Sequence, residues 1–138
     1  MIDSSGHVVV TGGNSGIGLG IARGVARAGA SVAIWSRRQE RNAEAVTELE
    51  GLGAAAIGVR CDVSDEGNVA DAMRASLDRF GHLDCLVADA GTAGNQPFTD
   101  ISLAEWHRVL QVNLDGAFLC LREAGRAASC CTPGFRPC

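Results

Sequence analysis

The feature that most restricts how this chain folds is the run Thr11-Gly12-Gly13-Asn14-Ser15-Gly16-Ile17-Gly18. It lies between a β-branched stretch at 7–11 and a stretch with apolar residues at helical spacing. Glycine at this density weakens any strand or helix, so the run is a turn joining the two. In such a turn the backbone approaches a ligand closely. The helix that follows offers unpaired N–H donors and a partial positive charge at its amino end, a combination suited to a pyrophosphate. The spacing is GxxxGxG on Gly12, Gly16 and Gly18; a GxGxxG frame starting at Gly16 fails because position 21 is Ile21. Ser15 is no nucleophile elbow, since Ile17 stands where that turn needs glycine. The run is read as a dinucleotide cradle, with Gly12, Asn14, Ser15, Gly16, Ile17 and Gly18 as contact residues.

Strand and helix periods alternate onward. Strands are expected at 7–11, 31–35, 55–60 and 83–88. A first helix carries Ile17, Ile21, Val25 and Ala28 inward up to Gly29. A second, at 38–52, turns Val46, Leu49 and Leu52 inward and stops at Gly53. A third is capped by Ser64, buries Val69, Met73, Leu77 and Phe80, and ends at Gly81. Ser102 and Glu105 form a capping box for a long helix running to about Arg126, with an inner stripe of Leu103, Trp106, Leu110, Leu114, Ala117, Phe118 and Leu121. Strands alternating with helices specify an α/β, Rossmann-like, doubly wound parallel sheet. It is incomplete: about four strands, with nothing to cover the fourth and later strands missing. Residues 1–126 form this unit, and 127–138 read as an irregular tail rich in Cys and Pro.

Two absences limit the chemistry. The chain has no Tyr, and all 12 of its basic residues are Arg, which excludes a phosphate-loop or Schiff-base lysine and any phenolic proton donor. A net charge of -4 without a basic cluster argues against nucleic acid, and no apolar run reaches membrane-spanning length. The first ten residues lack a secretory pattern, so a cytoplasmic location is expected. The six cysteines are read as reduced. They form no CxxC, and His7, His82 and His107 lie on different elements without an acidic partner at fixed spacing, so no metal site is expected.

The TGxxxGIG form resembles the short-chain dehydrogenase/reductase family, and further matches follow in order. Asp62-Val63 resembles the family's Asp-Val step at the adenine. Ala90-Gly91 resembles the end of its Asn-Asn-Ala-Gly motif beside the ribose. Asn113 with Gly116 resembles NxxG, whose Asn holds a water in the proton relay. Asp89 stands where that pattern has Asn. An ionised Asp only accepts hydrogen bonds, so the position reads as a tolerated or damaging substitution, or as a tuned carboxylate.

Cofactor choice turns on the end of the second strand. NAD sites place an acid there and NADP sites a cation; this chain has Ser36, Arg37 and Arg38, which favours NADP over NAD. The alternative is that both arginines are solvated residues of the next helix's first turn. By resemblance the family moves hydride between carbonyls and alcohols with a Ser and a Tyr-xxx-Lys pair that arise beyond the helix bearing Asn113, and full-length relatives oligomerise. The expectation is therefore the NADP(H)-binding amino-terminal part of such an oxidoreductase, truncated or frame-shifted near residue 126 and inactive alone. A non-catalytic nucleotide-binding module is the alternative, and a pure interaction protein a third class.

Overall fold

Alternating side chains on the central strands fall on two faces, and both faces are covered. The structure, a computed structural model, describes residues 6–131. Strands β1 (His7–Thr11), β2 (Ser31–Ser36), β3 (Ala56–Arg60) and β4 (Cys85–Ala88) form one parallel sheet in the order β3-β2-β1-β4. Helices α1 (Gly16–Arg27), α2 (Gln39–Gly51) and α3 (Glu66–Phe80) are the crossovers. Val8, Val10, Val32 and Ile34 pack in one layer with Ala22 and Ala26 of α1 and Leu49 of α2. Val9, Ala33 and Trp35 pack in the other with Val69 and Met73 of α3. The strands read as continuous apolar runs because each face buries its own half of the alternation.

Helix faces depart from expectation in register. The buried line of α1 is Gly18, Ala22 and Ala26; Ile21 and Val25 flank it, and Ile17 is 75 % exposed. Small residues win the contact face because they bring the helix axis close to the sheet. On α2 the buried residues are Asn42, Ala45 and Leu49, while Leu52 lies beyond the helix end and is exposed. Asp65 caps α3 in place of Ser64, accepting the Asn68 N–H at 2.8 Å; Ser64 turns back onto Asp62.

The last helical stretch is one bent rod: α4 (Leu103–Leu110), a π-turn at Gln111–Asp115, and α5 (Gly116–Cys131). Ser102 Oγ accepts the Glu105 N–H at 3.1 Å, so half of the capping box forms; the Glu105 carboxylate instead takes Arg108 at 2.7 and 2.8 Å. Most of the expected inner stripe is corrected, Leu121 (56 % exposed) included, while Leu110 and Ala117 are half-buried. Leu103 (68 %), Trp106 (45 %), Leu114 (61 %) and Phe118 (58 %) are exposed, whereas Val112, Leu119, Cys120, Ala124 and Ala127 pack on the sheet. The rod has two apolar faces, and periodicity finds the larger one without showing which meets the core. The helix reaches Cys131 rather than ending near Arg126; residues 132–138 of the expected tail lie outside the described residues. No helix among the described residues is long and apolar enough to cross a membrane.

Burial also sets thiol chemistry. Desolvation pushes Cys61 up to about 12 and Cys120 up to about 11. At pH 8 the thiolate fraction of Cys61 is on the order of one in ten thousand. Alkylation of the folded chain at that pH is expected to spare both residues and to reach them only after denaturant is added; peptide mass mapping of the labelled sites checks this.

Candidate functional site

Strand order reverses between β1 and β4, since β2 and β3 lie to one side of β1 and β4 to the other. Ligands of open parallel sheets bind at the carboxyl ends of strands at such a switch point. A cleft of about 320 Å³ opens there. Gly12, Asn14, Ser15, Arg37, Arg38, Asp62, Val63, Ala90 and Gly91 line it, which brings together nine of the residues singled out from the sequence. Gly16, Ile17 and Gly18 form the first turn of α1 beside it. Ser36, already noted at the end of the second strand, lines it too; Trp35, Arg41, Cys61 and Val112 complete the lining and were missed, because they fall outside the recognisable motifs.

The cradle is held by backbone. Gly12 has φ +68° and its N–H donates to Trp35 C=O at 2.8 Å. A Cβ there would stand 3.1 Å from Ala90 Cα, so the loop after β1 lies directly on the loop after β4. Thr11 Oγ1 accepts the Ala90 N–H at 2.9 Å and ties the same two loops. Beneath Asn14, a polar cluster anchors the turn. Asn14 Nδ2 donates to Asn42 Oδ1 at 3.0 Å and to Ser36 Oγ, and Ser36 Oγ donates to Asn42 Oδ1 at 2.7 Å.

The amino end of α1 fits an anion. Ser15, its N-cap, makes no side-chain cap hydrogen bond, and no acid stands in the first turn, whereas α3 and α4 are capped by Asp65 and Ser102. The N–H groups of the first turn have no intrahelical partner. Asp89 explains itself partly by the same field: a Cβ added at Gly18 would lie 2.7 Å from Asp89 Oδ2, so this carboxylate rests against the positive end of the helix.

The rim carries charge at the end of β2. Arg37, Arg38 and Arg41 line the cleft, and none of them forms an ion pair among the described residues. Across the cleft, Asp62 Oδ1 accepts Ser64 N–H at 3.0 Å and Ser64 O–H at 2.7 Å, which fixes the carboxylate's orientation.

Asn113 does not line the cleft. Its Oδ1 accepts the Thr92 N–H at 2.7 Å and its Nδ2 donates to Thr92 C=O at 2.8 Å, so it clamps the loop after β4 from within the π-turn. Both side-chain polar atoms are thereby engaged, and the observed job is positioning.

A doubly wound parallel sheet with a glycine loop and an uncapped helix end at its switch point defines a Rossmann-like α/β domain. The chain belongs to the short-chain dehydrogenase family, whose sequence pattern matches residues 6–129. The family consists of oxidoreductases that use nicotinamide dinucleotides. The chain is 39 % identical over 127 residues to the cis-4-hydroxycyclohexanecarboxylate dehydrogenase of Sinomonas cyclohexanicum, covering 91 % of this chain and 51 % of that protein. It is 37 % identical over 111 residues to a 3-oxoacyl-(acyl-carrier-protein) reductase of Chlamydia pneumoniae, covering 80 % and 45 %. Among solved structures, a short-chain type dehydrogenase/reductase from Mycobacterium marinum superposes with a TM-score of 0.87 at 32 % identity, covering 91 % of this chain and 51 % of that one. A dehydrogenase/reductase from Sinorhizobium meliloti gives 0.84 at 34 %, covering 88 % and 49 %. The chain thus spans about half the length of the curated relatives it matches, and corresponds to their amino-terminal part.

Proposed function

We propose that these residues form the NADP(H)-binding portion of an oxidoreductase that moves hydride between a carbonyl and an alcohol. The observation that carries this reading is the cleft itself, with an uncapped helix end at one side and, at the other, three arginines that form no ion pair among the described residues. Gly12, Asn14, Ser15, Gly16, Ile17 and Gly18 would take the pyrophosphate, Asp62 and Val63 the adenine, and Ala90 and Gly91 the ribose. Arg37 and Arg38, with Arg41 beside them, would take the 2'-phosphate by forked, charge-assisted hydrogen bonds. When bound, the cofactor supplies the hydride. What this chain's residues do is hold it in place and, through Asn113, fix the loop along its path. The 138 residues contain no Tyr and no Lys, so the phenol and ammonium pair of the family's acid–base step is not among them. On this reading the proton-handling groups would be supplied by residues other than these 138.

Titration calorimetry with each dinucleotide is the test. NADP is expected to bind more tightly than NAD. Arg37→Ala and Arg38→Ala should each weaken NADP about 10-fold while leaving NAD within about twofold, as expected for loss of a charged hydrogen bond to phosphate. Equal affinity for both dinucleotides, insensitive to either change, would remove the NADP assignment. Reduction of any ketone by the purified 138 residues would remove the division of labour.

A further inference from the structure

At the opposite end of the sheet from the cleft, His7, His82 and Asp84 converge. β1 and β4 run parallel side by side, so the residue that opens β1 meets the turn that leads into β4. His7 and His82 are far apart in sequence, and an acid that no fixed sequence spacing marks lies within reach of both. His7 Nδ1 lies 3.1 Å from His82 Nε2, His82 Nε2 lies 3.1 Å from Asp84 Oδ2, and His7 Nδ1 lies 3.9 Å from Asp84 Oδ2. Three atoms at those separations sit on a circle of radius about 2.0 Å, which is the bond length of zinc to imidazole nitrogen and carboxylate oxygen. A tetrahedral ion needs donor separations of about 3.3 Å, so the two 3.1 Å pairs already fit and His7 Nδ1 and Asp84 Oδ2 have only to close from 3.9 Å.

We infer that His7 Nδ1, His82 Nε2 and Asp84 Oδ2 form a binding site for a borderline divalent metal ion such as zinc, with a fourth position left to water. The donor set selects the metal class. Two imidazoles and one carboxylate suit zinc and its transition-metal neighbours, whereas magnesium and calcium call for oxygen ligands. The ligands are oriented by bonds that a metal would leave intact. Asp84 Oδ2 accepts the His7 N–H at 2.7 Å, and the Asp84 N–H donates to His7 C=O at 3.0 Å. The His7 ring rests on Phe80, with ring centroids 4.9 Å apart. The three residues are gathered by backbone pairing that the fold forms in any case, so little ordering remains for the ion to impose. A bound ion would pin the α3–β4 turn to β1, at the base of a strand that has a neighbour on one side only among the described residues.

The experiment is zinc titration of the whole chain, kept reduced with a non-chelating phosphine and followed by calorimetry and thermal melting. Magnesium is run in parallel, along with three variants: His82→Ala, Asp84→Asn, and Cys130→Ser/Cys131→Ser/Cys138→Ser combined. Circular dichroism checks that each variant is folded. One equivalent of zinc is expected to bind in the micromolar range and raise Tm by about 5 °C, with magnesium silent. His82→Ala and Asp84→Asn should each weaken zinc at least about 10-fold, in line with loss of a ligand, while the triple serine variant binds as the parent does. Cobalt(II) bound to the unsubstituted chain should show no thiolate charge-transfer band. Absence of zinc binding, binding that survives His82→Ala in folded protein, or a thiolate band with cobalt would each overturn the site. The cobalt reading holds even where a variant does not fold.

Discussion

Gly18→Val is expected to abolish measurable dinucleotide binding and to cost the fold about 3 kcal/mol or more. A Cβ at position 18 would stand 2.6 Å from the Gly12 carbonyl oxygen and 2.9 Å from its carbon, both backbone atoms, and 2.7 Å from Asp89 Oδ2. Gly12 has no room to withdraw. It is bonded to Trp35 C=O behind and lies against Ala90 at the side. The whole turn would have to lift from the sheet, and the cradle would move with it. Gly20→Ala is the matched control: that position is exposed, with nothing within 4 Å of an added Cβ, so alanine there should be neutral or stabilise by about 0.5–1 kcal/mol. Denaturant unfolding and calorimetric titration of the two variants decide the matter. If they behave alike, close packing of α1 on the loop is not what makes Gly18 necessary.

Asn42→Ala should lower stability by about 3 kcal/mol and weaken dinucleotide binding about 10-fold, since buried polar groups left without partners cost about 1–3 kcal/mol each. Asn42 is fully buried on α2. Its Nδ2 donates to Val59 C=O at 3.1 Å and reaches Ser36 C=O at 3.4 Å, and its Oδ1 accepts from Ser36 Oγ and Asn14 Nδ2. One amide thus holds the end of β2, β3 and the glycine turn together. Alanine would strand the Val59 carbonyl and leave Asn14 held by Ser36 Oγ alone. The space is tailored as well: a Cβ at Gly58 would lie 2.7 Å from Asn42 Cβ. The midpoint of chemical denaturation and the dissociation constant, measured on the same preparation, report the two effects. An unchanged midpoint would show that the network carries no stability.

Asn42 also marks where reading the sequence stops. The glycine spacing, the strand runs and the Asp62-Val63, Ala90-Gly91 and Asn113 matches were legible because each is local, a fixed pattern within a few residues. The parallel sheet and the meeting of loops at one end followed from the alternation of strands and helices. Asn42 offered no such pattern: a lone polar residue in a polar helix becomes buried only because Ser36, Val59 and Asn14 arrive from three other elements. Arg41 was passed over for the same reason, and the His7, His82 and Asp84 grouping exists only through the pairing of β1 with β4. On the long helical rod the error was of a different kind. Leu103, Trp106, Leu114 and Phe118 form a true apolar stripe, but periodicity measures amphipathicity, not what lies opposite.

The place of β4 in the sheet has a kinetic consequence. β1, β2 and β3 join through neighbouring crossovers, whereas Ala90 reaches Thr11 across a separation of 79 residues. Closing that span is the most entropically demanding step in assembling the sheet, so it is expected to come after the other strands have paired. Until it does, Gly12 has no Ala90 beside it and the cleft lacks the wall that follows β4. The wall that follows β4 is therefore completed at the end of folding, and a growing chain that has released only its first three strands carries the glycine turn and the arginines but lacks Ala90 and Gly91 opposite them.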